Sequence, residues 1–550
     1  MTAGKQAPRP AKVAGIGLVL AVVGAATAWP VRINAGPILS TAKFSSGDID
    51  PTYGSLGVAQ AFKQTFALFA APNGTVQSAD GNLLVAGTVS TGNQDVIGIA
   101  RFTSTGMLDA SFGNAGQVLT YFKNSTPSPQ GVAVRSDGRI VVSGRIRGSA
   151  KNATYDTLLV RYLSNGSLDS TFGEGGSVII DLSGTKIDDG ANDVAVQSDG
   201  KIVVAADYGG RLVVARFYSD GTLDTSFGTE GKVTPPIGRI LGNTRSLAAL
   251  PNGRILVAAR GTAGATPMTA VVKLQSTGAL DSSFGNGGIV QRGFSTEAIG
   301  SSSAPIEAFS GMIVQPTDNK IVLYGDNGGD PKVWLARLNS DGTYDTSFGA
   351  KGKMTCPSSF IDGGGGTGIA LQTDGKIVLA GSVVNPPGAP GAIRINADGT
   401  IDGTFGVDGL AVSLSAQAPW GLGVAVQPNG RILVVTAGTT TCTVFGLFED
   451  DPSLTLRPDP VSASGVLSLG ASTTHGLNGP ILAVEFWLDF DGNGSLDNAV
   501  DIDLGKASGS GPTWGLNVPV IWAAGMHTYF AVVTHANGQT VVSRQGTVKR

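Results

Sequence analysis

The chain is poor in the residues on which most enzyme sites depend. Of its 550 residues, three are histidine and two are cysteine. All three histidines (His475, His527 and His535) lie beyond residue 451, so the preceding residues contain no imidazole to act as a general base or a metal ligand. No phosphate-binding P-loop motif is present, nor is a dinucleotide-binding glycine motif between a strand and a helix. The sequence therefore contains no recognisable enzyme motif.

Charge is scarce as well. Asp, Glu, Lys and Arg make up 14% of the residues, and the formal net charge at pH 7 is −3. Nucleic acids and anionic membranes are bound through clustered lysine and arginine, so we expect neither as a partner. Apolar residues reach 41% and glycines number 81, which is typical of a folded protein with many turns rather than of a disordered one.

The two cysteines, Cys356 and Cys442, form neither a disulfide framework nor a metal-binding spacing. In an exported protein they could pair, but sequence does not test the geometry that a disulfide requires. The alternative, which we favour, is that both are small residues buried in the core.

The N-terminus is predicted to be a signal peptide, residues 1–28. Basic residues precede an apolar run over 13–28, which ends in the small-x-small cleavage pattern of Ala26–Ala28. The alternative is an uncleaved membrane anchor, although the run is shorter than the roughly 20 residues that span a bilayer. We therefore expect a secreted protein that is extracellular, periplasmic or held at the cell surface. We expect no membrane insertion after cleavage, and a linker over 29–46.

One phrase recurs along most of the chain. It appears as SNGSLDSTFGEGG at residues 164–176, and its aromatic residue returns at a mean spacing just under 59 residues. The seven positions are Tyr53, Phe112, Phe172, Phe227, Phe284, Phe348 and Phe405.

A second phrase alternates with the first. In VAVQSDGKIVVAA (194–206), two runs rich in β-branched residues flank Asp-Gly. The phrase occurs seven times in all, with Asp-Gly or Asn-Gly at this place in six copies and Asp318-Asn319 in the fifth. These dipeptides tolerate the positive φ of a tight hairpin. A third run such as LVVARF (212–217) and a fourth such as GSVIID (176–181) complete each unit. Each repeat is therefore predicted to be a sheet of about four short antiparallel strands.

Such a small sheet cannot bury both faces alone, so neighbouring sheets must cover it in a ring or in a linear stack. Seven four-stranded units predict an all-β fold, a seven-bladed β-propeller over residues 47–451. The alternative is a β-solenoid, whose coils are shorter and need no hairpins. The seventh unit lacks the first phrase, and a spare copy stands at 47–57. Either this copy closes the ring beside the last blade, or it is only a connector.

Charged residues recur in register with the repeats. Within the first phrase an aspartate returns as Asp50, Asp109, Asp169, Asp224, Asp281, Asp345 and Asp402. Upstream, a basic residue returns as Arg101, Arg161, Arg216, Lys273, Arg337 and Arg394. One interpretation is that each aspartate caps a turn or pairs with the basic residue and joins adjacent blades. The other is a ring of ligand-binding carboxylates. We favour the first, because a residue needed once for chemistry does not occur in every unit.

The two phrases, LDxSFGxxGxV followed by AVQxDGKIVVAG, closely resemble the delta-60 repeat family of bacterial exported proteins. The resemblance covers residues 47–448 and implies propeller-like blades and an extracellular or periplasmic binding or structural module. The chain departs from the family pattern at Tyr53, at Asp318-Asn319, and near Leu447, where the basic residue is absent. The family has no established catalytic residues, so we assign none here.

After the repeats, residues 452–465 are rich in Pro and Ser and are predicted to be a linker. Residues 466–550 alternate like strands and predict a small β-sandwich. This part resembles, more loosely, the immunoglobulin-like modules at the ends of bacterial surface proteins.

The segment DFDGNGSLD places oxygen-bearing side chains at alternate positions, a pattern that suits a hard cation. The candidate ligands of a structural calcium are Asp489, Asp491, Asn493, Ser495 and Asp497. Val500 replaces the glutamate expected at the twelfth position, and no flanking helices are evident, so the segment is not an EF-hand. The alternative is an ordinary polar hairpin loop.

Two functions remain open from sequence. The first is a monomeric, non-catalytic exported module whose rim loops contact a protein or a glycan, since loops between the second and third strands vary most, as in 145–156 against 207–210. The second is a propeller enzyme, a lyase or hydrolase of extracellular polymer that uses channel carboxylates and a metal. Non-repeating acidic residues such as Asp188, Asp189 and Glu307 show no more than ordinary loop chemistry.

Overall fold

The computed structural model describes most of the repeat region and the strands of the C-terminal region. The described residues are 53–54, 58–62, 74–77, 81–240, 246–263, 266–294, 308–326, 333–361, 368–383, 389–412, 420–437, 442–447 and nine strands between 454 and 549. By its internal contacts the chain divides into two compact units, residues 1–42 and 43–550, and every described residue belongs to the second. The predicted signal peptide and the linker over 29–46 lie outside the described residues.

The described repeat region consists of short strands in seven sheets. In chain order the strands that precede the fourth sheet are β1 (Val58–Ala61), β2 (Gly74–Gln77), β3 (Leu83–Ser90), β4 (Asp95–Phe102), β5 (Gln117–Thr120), β6 (Ser125–Val134), β7 (Ile140–Gly148), β8 (Tyr155–Tyr162), β9 (Ser177–Ile180), β10 (Asp189–Val196), β11 (Ile202–Tyr208), β12 (Arg211–Phe217) and β13 (Lys232–Val233). The rest are β14 (Ser246–Ala249), β15 (Ile255–Ala263), β16 (Thr266–Leu274), β17 (Ile289–Arg292), β18 (Ala308–Val314), β19 (Ile321–Asp326), β20 (Val333–Leu338), β21 (Lys353–Thr355), β22 (Phe360–Ile361), β23 (Gly368–Leu371), β24 (Ile377–Val383), β25 (Ala389–Ile395), β26 (Leu410–Val412), β27 (Trp420–Val426), β28 (Ile432–Ala437) and β29 (Cys442–Leu447).

Each sheet is one antiparallel blade. Blades 1 to 5 take four consecutive strands each, beginning with β2–β5, and blade 6 takes β22 to β26, in which β22 and β23 both pair with β24. The only helical element among the described residues is a 3-10 turn at Pro251–Gly253. No helix of the described part has the length and apolarity of a membrane span. The prediction of an all-β fold of seven small sheets is confirmed.

The blades form a closed ring. Their innermost strands neighbour one another in the order β2, β6, β10, β14, β18, β23 and β27, and β27 in turn neighbours β2. A linear stack would leave the first and last sheets without such a contact. The architecture is therefore the seven-bladed propeller and not the solenoid.

Blade 7 is completed by the other end of the repeat region. Its order is β1-β29-β28-β27, and β1 pairs antiparallel with β29, Val58 opposite Phe445 and Ala61 opposite Cys442. The sequence had left open whether the front copy of the first phrase closes the ring or serves as a connector. The pairing shows that it closes the ring.

The core lies between the blades. Middle strands such as β11 (IVVAADY) and β12 (RLVVARF) are buried along nearly their whole length, because a neighbouring blade covers each face, which is why they lack a polar alternation. The recurring aromatic is fully buried in every repeat, from Tyr53 to Phe405. In the core between blades 2 and 3, Phe172 packs with Leu159 of blade 2 and Val204 of blade 3. Burial of each phenylalanine contributes about 2 kcal/mol.

Cys356 and Cys442 are both buried, and neither forms a disulfide. They lie in separate core clusters. Burial raises the pKa of the Cys442 thiol to about 12 and that of Cys356 further. The prediction that both are small core residues is confirmed.

In the C-terminal region nine strands are described, β30 (Leu454–Pro458), β31 (Val466–Thr473), β32 (Ile481–Asp489), β33 (Ile502–Lys506), β34 (Ser508–Ser510), β35 (Thr513–Pro519), β36 (Met526–His535), β37 (Thr540–Val542) and β38 (Gly546–Lys549). They form two antiparallel sheets, β30-β31-β35-β34 and β33-β32-β36-β37, with β38 also paired to β36. Strand β30 falls within 452–465, the segment that the sequence predicts to be a linker. The sheets thus begin earlier than the sequence analysis places them.

Candidate functional site

The strand order gives the propeller two different faces. In each blade the Asp-Gly or Asn-Gly turn and the Leu-Asp-x-x-Phe-Gly phrase lie at one face, which we call the turn face. Loops between the second and third strands, and connections from one blade to the next, lie at the opposite face, which we call the loop face. The residues that recur in every repeat lie at the turn face, whereas residues that differ from blade to blade lie at the loop face.

At the turn face, one arginine joins two adjacent blades. Arg216 of blade 3 donates from Nε to Asp224 Oδ2 at 2.8 Å and from Nη1 to the carbonyl oxygen of Ser276 in blade 4 at 2.5 Å. Its guanidinium lies over the Phe227 ring, 4.4 Å from the centroid. The second oxygen of Asp224 accepts hydrogen bonds from the backbone and hydroxyl of Ser226. The aspartate thus caps a turn and pairs with the arginine at the same time.

This arrangement, which we call the blade joint, recurs around the ring. The paired atoms are Arg101 Nε and Asp109 at 2.7 Å, Arg161 Nε and Asp169 at 2.9 Å, Arg337 Nε and Asp345 at 2.7 Å, Arg394 Nε and Asp402 at 2.7 Å, and Lys273 Nζ and Asp281 at 3.9 Å. A second cation, from the position after the hairpin turn, reaches the same carboxylates in blades 2 to 6 from Arg139, Lys201, Arg254, Lys320 and Lys376. A backbone bond reinforces each joint, as in Gly228 N to Thr277 O at 2.9 Å.

The joints keep their aspartates ionised. Burial alone would raise the pKa of Asp224, but hydrogen bonds from Ser226, Lys201 and Tyr218, together with the charge of Arg216, lower it far below the usual range. At Asp169 and Asp402, too, burial alone would raise the pKa. The hydroxyl of Thr171 or Thr404 and the paired cations outweigh this effect and lower both pKa values to about 2. The prediction that the repeated aspartates cap turns and join blades is confirmed for the six described copies. Asp50 lies outside the described residues.

The joint between blades 7 and 1 has a different chemistry. Gly446 stands where the other blades have the basic residue, and a Cβ there would lie 2.6 Å from Tyr53 Cβ. Arg431 takes over both tasks: its guanidinium lies over the Tyr53 ring, 5.6 Å from the centroid, and its Nη1 donates to Ser104 O of blade 1 at 3.0 Å. Gln427 Nε2 adds a bond to Gly81 O at 2.9 Å. Both departures from the repeat pattern, Tyr53 and the missing basic residue, are therefore parts of the ring closure.

The loop face of blades 1 to 3 is varied. Tyr121 is 57% exposed and Ile187 is 46% exposed, each on a connection between blades. Arg145 and Arg147 hold their guanidinium groups 5.1 and 5.6 Å from the centroid of the Tyr155 ring. This combination of aromatic, apolar and cationic groups does not recur in the other described blades.

Beside Tyr155 lies a group of four non-repeating aspartates, Asp156, Asp181, Asp188 and Asp189. Thr157 Oγ1 donates to Asp189 Oδ1 at 2.5 Å, and Leu182 N donates to its Oδ2 at 3.0 Å. Burial, with a contribution from the charge of Asp181, raises the pKa of Asp189 to about 6. A carboxyl that titrates near neutrality beside another carboxylate can exchange a proton. Among the described residues, no group of acidic, histidine or cysteine side chains is arranged to hold a metal ion.

No sequence motif marks this group. Asp188 and Asp189 are predicted from sequence to be ordinary loop residues, because nothing in the local sequence indicates that Asp189 is buried. The one available signal was that these aspartates fall outside the repeat. Glu307 lies outside the described residues.

The candidate calcium ligands are almost entirely outside the described residues. Asp489 ends strand β32, and the other four predicted ligands follow in the segment after it. Of the histidines, His527 and His535 both lie in β36, paired with Val548 and Ile481 respectively. His475 is outside the described residues.

Six segments of the chain match a protein-family model described as a domain of unknown function (DUF5122) beta-propeller. They are residues 78–112, 135–172, 197–227, 250–284, 317–348 and 372–405. Each segment begins near a hairpin turn and ends on the buried aromatic of the next first phrase. Together they cover less than half of the chain, and the unit divided between the two ends of the ring is not among them. No curated protein matches the chain significantly.

Solved structures with a similar arrangement include a Drosophila plexin A in complex with semaphorin 1b, at 10% identity, a TM-score of 0.37, and coverage of 72% of this chain and 88% of that one. A Dyadobacter fermentans protein of unknown function matches at 14% identity and a TM-score of 0.32, covering 59% and 96%. The apo prolyl oligopeptidase B of Galerina marginata matches at 12% identity and a TM-score of 0.34, covering 72% and 46%, so that the match spans less than half of that enzyme. At these TM-scores the matches contribute nothing to the argument about function.

Proposed function

We propose that the protein is an exported, non-catalytic module of the delta-60 repeat type, and that its loop face contacts an extracellular protein or glycan. The proposal rests on one observation: repeated residues lie at the turn face and variable residues lie at the loop face. The repeated charges are engaged in the blade joints at the turn face, so they are not available to a ligand. The side chains that vary from blade to blade lie at the loop face, where recognition residues of scaffold proteins are usually placed.

The loop face of blades 1 to 3 has the chemistry of a recognition surface. Tyr121 offers a large exposed aromatic side chain, and tyrosine combines apolar contact area with a hydroxyl that can hydrogen-bond. Arg145 and Arg147 beside Tyr155 supply directional donors, and exposed Asp188 supplies an acceptor. Aromatic residues and arginine are enriched in protein interfaces. A mixed surface of this kind suits a protein or glycan partner better than a nucleic acid.

We further propose that the C-terminal region is an immunoglobulin-like β-sandwich with a structural calcium in the 489–497 loop. Its two antiparallel sheets are the elements that such a sandwich requires. The protein would act as a secreted monomer, with the C-terminal module joined directly to the propeller by the chain.

The binding proposal is tested on the protein lacking residues 1–28, screened against extracellular polysaccharides and candidate protein partners. Two variants alter the loop face: replacement of residues 149–154 by Gly-Gly, which imitates the short loop of blade 3, and Tyr121→Ala. The matched control is Val407→Ala, which removes a 78% exposed apolar side chain from the turn face. We expect the loop-face variants to lose at least tenfold in affinity and the control to bind normally. Equal binding by all three variants would refute the proposal.

A second candidate function, a polymer-cleaving enzyme, is favoured by one observation. Asp189 and Asp181 form a carboxyl pair in which Asp189 titrates near pH 6, and paired carboxyls with separated pKa values perform general acid–base catalysis. The test is turnover of extracellular polymers by the wild type and by Asp189→Asn. Turnover that Asp189→Asn abolishes would replace the binding proposal with this one.

A further inference from the structure

The hairpin between the second and third strands is shorter in blade 3 than in the blades beside it. The pairing of β11 with β12 ends at Tyr208, before the turn Gly209-Gly210, whereas the pairing of β15 with β16 in blade 4 continues to Ala263. Counted from the blade joint, the ladder of blade 4 is two residues longer, or about 7 Å at roughly 3.3 Å per residue. In blade 2 the pairing reaches Arg147, and the loop over 149–154 follows. The turn of blade 3, which we call the recessed turn, therefore ends below both neighbouring hairpins.

The recessed turn consists of two glycines and is open to solvent. Gly209 and Gly210 have φ values of +55° and +78°, which glycine adopts without strain. Gly209 is exposed, and a Cβ there would meet only Ile187, at an ordinary contact distance of 3.9 Å. A ligand on the loop face can therefore approach the backbone of blade 3 closely.

Arg239 lies on the side of the recessed turn that faces blade 4. Ile240, the residue after it, donates from its backbone nitrogen to Gly210 O at 2.8 Å, and Thr262 N of blade 4 donates to Arg239 O at 2.9 Å. Ile240 is buried in the core between blades 3 and 4, whereas Arg239 is exposed. Backbone bonds and core packing thus fix the position of this arginine beside the turn.

Arg211 lies on the opposite side of the turn. It is paired with Tyr208, and Tyr208 is paired with Asp189, so the three residues lie side by side on one face of blade 3. This face is the one toward blade 2, because Asp189 accepts a hydrogen bond from Thr157 of that blade. Arg211 is exposed at the end of this row. The two arginines therefore flank the recessed turn from its two sides.

Both guanidinium groups are available to a ligand. Among the described residues, neither Arg211 nor Arg239 forms an ion pair, a side-chain hydrogen bond or a contact with an aromatic ring. The nearby aspartates have other partners: Asp207 Oδ1 accepts from Asn192, and Asp188 Oδ1 accepts from Tyr155 N. In the blade joints, by contrast, the arginines are held by an aspartate and a backbone carbonyl.

We propose that the recessed turn binds an anionic polysaccharide, carboxylated or sulfated, with Arg211 and Arg239 each holding one acidic group. A guanidinium donates two parallel hydrogen bonds to such a group. Because the turn separates the two arginines, a polymer with repeated charges fits them better than a small anion does. A peptide would need a pocket for an apolar anchor, whereas the turn offers glycine backbone and the edge of Ile187. The inference rests on the proposed function and names the class of its partner.

The test measures binding of the full-length protein to two acidic polymers and to their neutral counterparts. The pairs are polygalacturonate with its methyl ester, and dextran sulfate with dextran, which separate carboxylate from sulfate recognition. We expect binding to at least one acidic polymer and none to the neutral ones. Arg211→Gln and Arg239→Gln should each weaken binding by about threefold or more, and the double variant by about tenfold. Each substitution should also make the dependence of affinity on salt shallower.

The matched control is Lys351→Gln, which removes one exposed charge from the turn face and should bind like the wild type. Urea unfolding of all variants should give wild-type midpoints, since the substituted side chains are exposed and unpaired. Equal binding to a neutral counterpart, an equal loss in the control, or no binding to either acidic polymer overturns the inference. Polyglutamate bound more tightly than both polysaccharides overturns it in favour of an acidic protein.

The variants also separate this inference from the proposed function. A ligand lost on replacing 149–154 or in Tyr121→Ala, but bound normally by the double arginine variant, would refute the role of the recessed turn and leave the loop face as the binding surface. A ligand whose binding none of these variants changes would refute both.

Discussion

Aspartates of the same chain titrate in opposite directions because of what surrounds each carboxyl. Asp224 and Asp193 are both enclosed by protein, which penalises the ionised form of each. Asp224 faces Arg216 and Lys201 at 2.8 and 3.1 Å, and these charges lower its pKa. Asp193 is hydrogen-bonded only by backbone amides among the described groups, and burial therefore prevails and raises its pKa. Asp193 lies within strand β10, whereas Asp224 belongs to the repeated phrase that follows β12.

The raised pKa of Asp193 predicts a pH-dependent contribution to stability. The unfolded chain releases this proton near pH 4, whereas the native protein holds it until about pH 7. Across that window the native state binds more protons, so the free energy of unfolding contributed by Asp193 falls as pH rises, by at most about 1.4 kcal/mol per pH unit, and is constant above it.

The measurement is urea unfolding from pH 4 to pH 8, compared between wild type and Asp193→Asn. In the asparagine variant one of the two backbone amides that donate to this side chain, those of Val194 and Leu247, loses its acceptor at every pH, which shifts the free energy of unfolding by a constant. The difference between the two proteins should therefore change with pH only between about 4 and 7, with the wild type losing stability relative to the variant. A parallel pair of curves would contradict the prediction.

The blade joints predict that removing one arginine is costly. In Arg216→Met, Asp224, which is 0% exposed, loses its main partner, and blade 4 loses the bond to Ser276 O. We expect a loss of about 3 kcal/mol, typical of breaking a buried ion pair, measured by denaturant unfolding. The converse change is Lys273→Arg, which introduces at blade 4 the arginine found in the five other described Arg–Asp joints. It should stabilise by about 1 kcal/mol, since arginine Nε lies 2.7–2.9 Å from the aspartate in the other joints, whereas the Lys273 ammonium lies 3.9 Å from Asp281.

Strand β1 and its partner β29 show how an element can belong to a blade without being near it in sequence. Val58–Ala61 are the outer strand of a sheet whose other strands begin at Trp420. The first phrase arrives with this strand, and Tyr53 occupies the space that Gly446 leaves. Every other described joint is made between consecutive units, whereas this one joins the two ends of the repeat region.

At position 446, the arginine that the repeat pattern would supply is predicted to destabilise the protein, because it would interfere with the closure of the ring. Gly446→Arg would introduce the residue that five other blades have there, yet a Cβ alone would meet Tyr53 at 2.6 Å. We expect the change to expel Tyr53, weaken the pairing of β1, and lower the midpoint of thermal unfolding by several degrees or more. The control is Gly403→Ala, whose Cβ meets nothing within 4 Å. Unchanged stability of Gly446→Arg would show that the closure does not depend on this packing.

At the scale of the whole molecule, the repeat region and the C-terminal region are stabilised in different ways. The propeller is stabilised by one interface that recurs between successive blades, with a variant of it where blades 7 and 1 meet, and among its described residues no group is arranged to hold a metal ion. The C-terminal region has two sheets of its own and the candidate calcium ligands. The two regions should therefore respond differently to calcium.

Calorimetry of the protein lacking residues 1–28 tests this separation. With calcium in excess, we expect the transition of the C-terminal region to move to higher temperature, because a ligand that binds only the folded state stabilises it by mass action. Chelation should reverse the shift, Asp491→Asn should reduce it, and the propeller transition should not move. A single transition that is indifferent to calcium would refute the calcium proposal.

Sequence by itself determined the blade, the number of blades and the residues that join them. These properties are local and repeated: strand alternation, Asp-Gly turns and the Arg–Asp register recur every 59 residues or so, so that each copy supports the same inference. Tertiary structure alone decided that β1 closes blade 7, that Gly446 makes room for Tyr53, and that Asp189 and Asp193 titrate far above Asp224. The physical reason is that burial and pairing across the ring depend on which atoms meet after folding, and residues as distant as Tyr53 and Arg431 are neighbours only once the ring is closed.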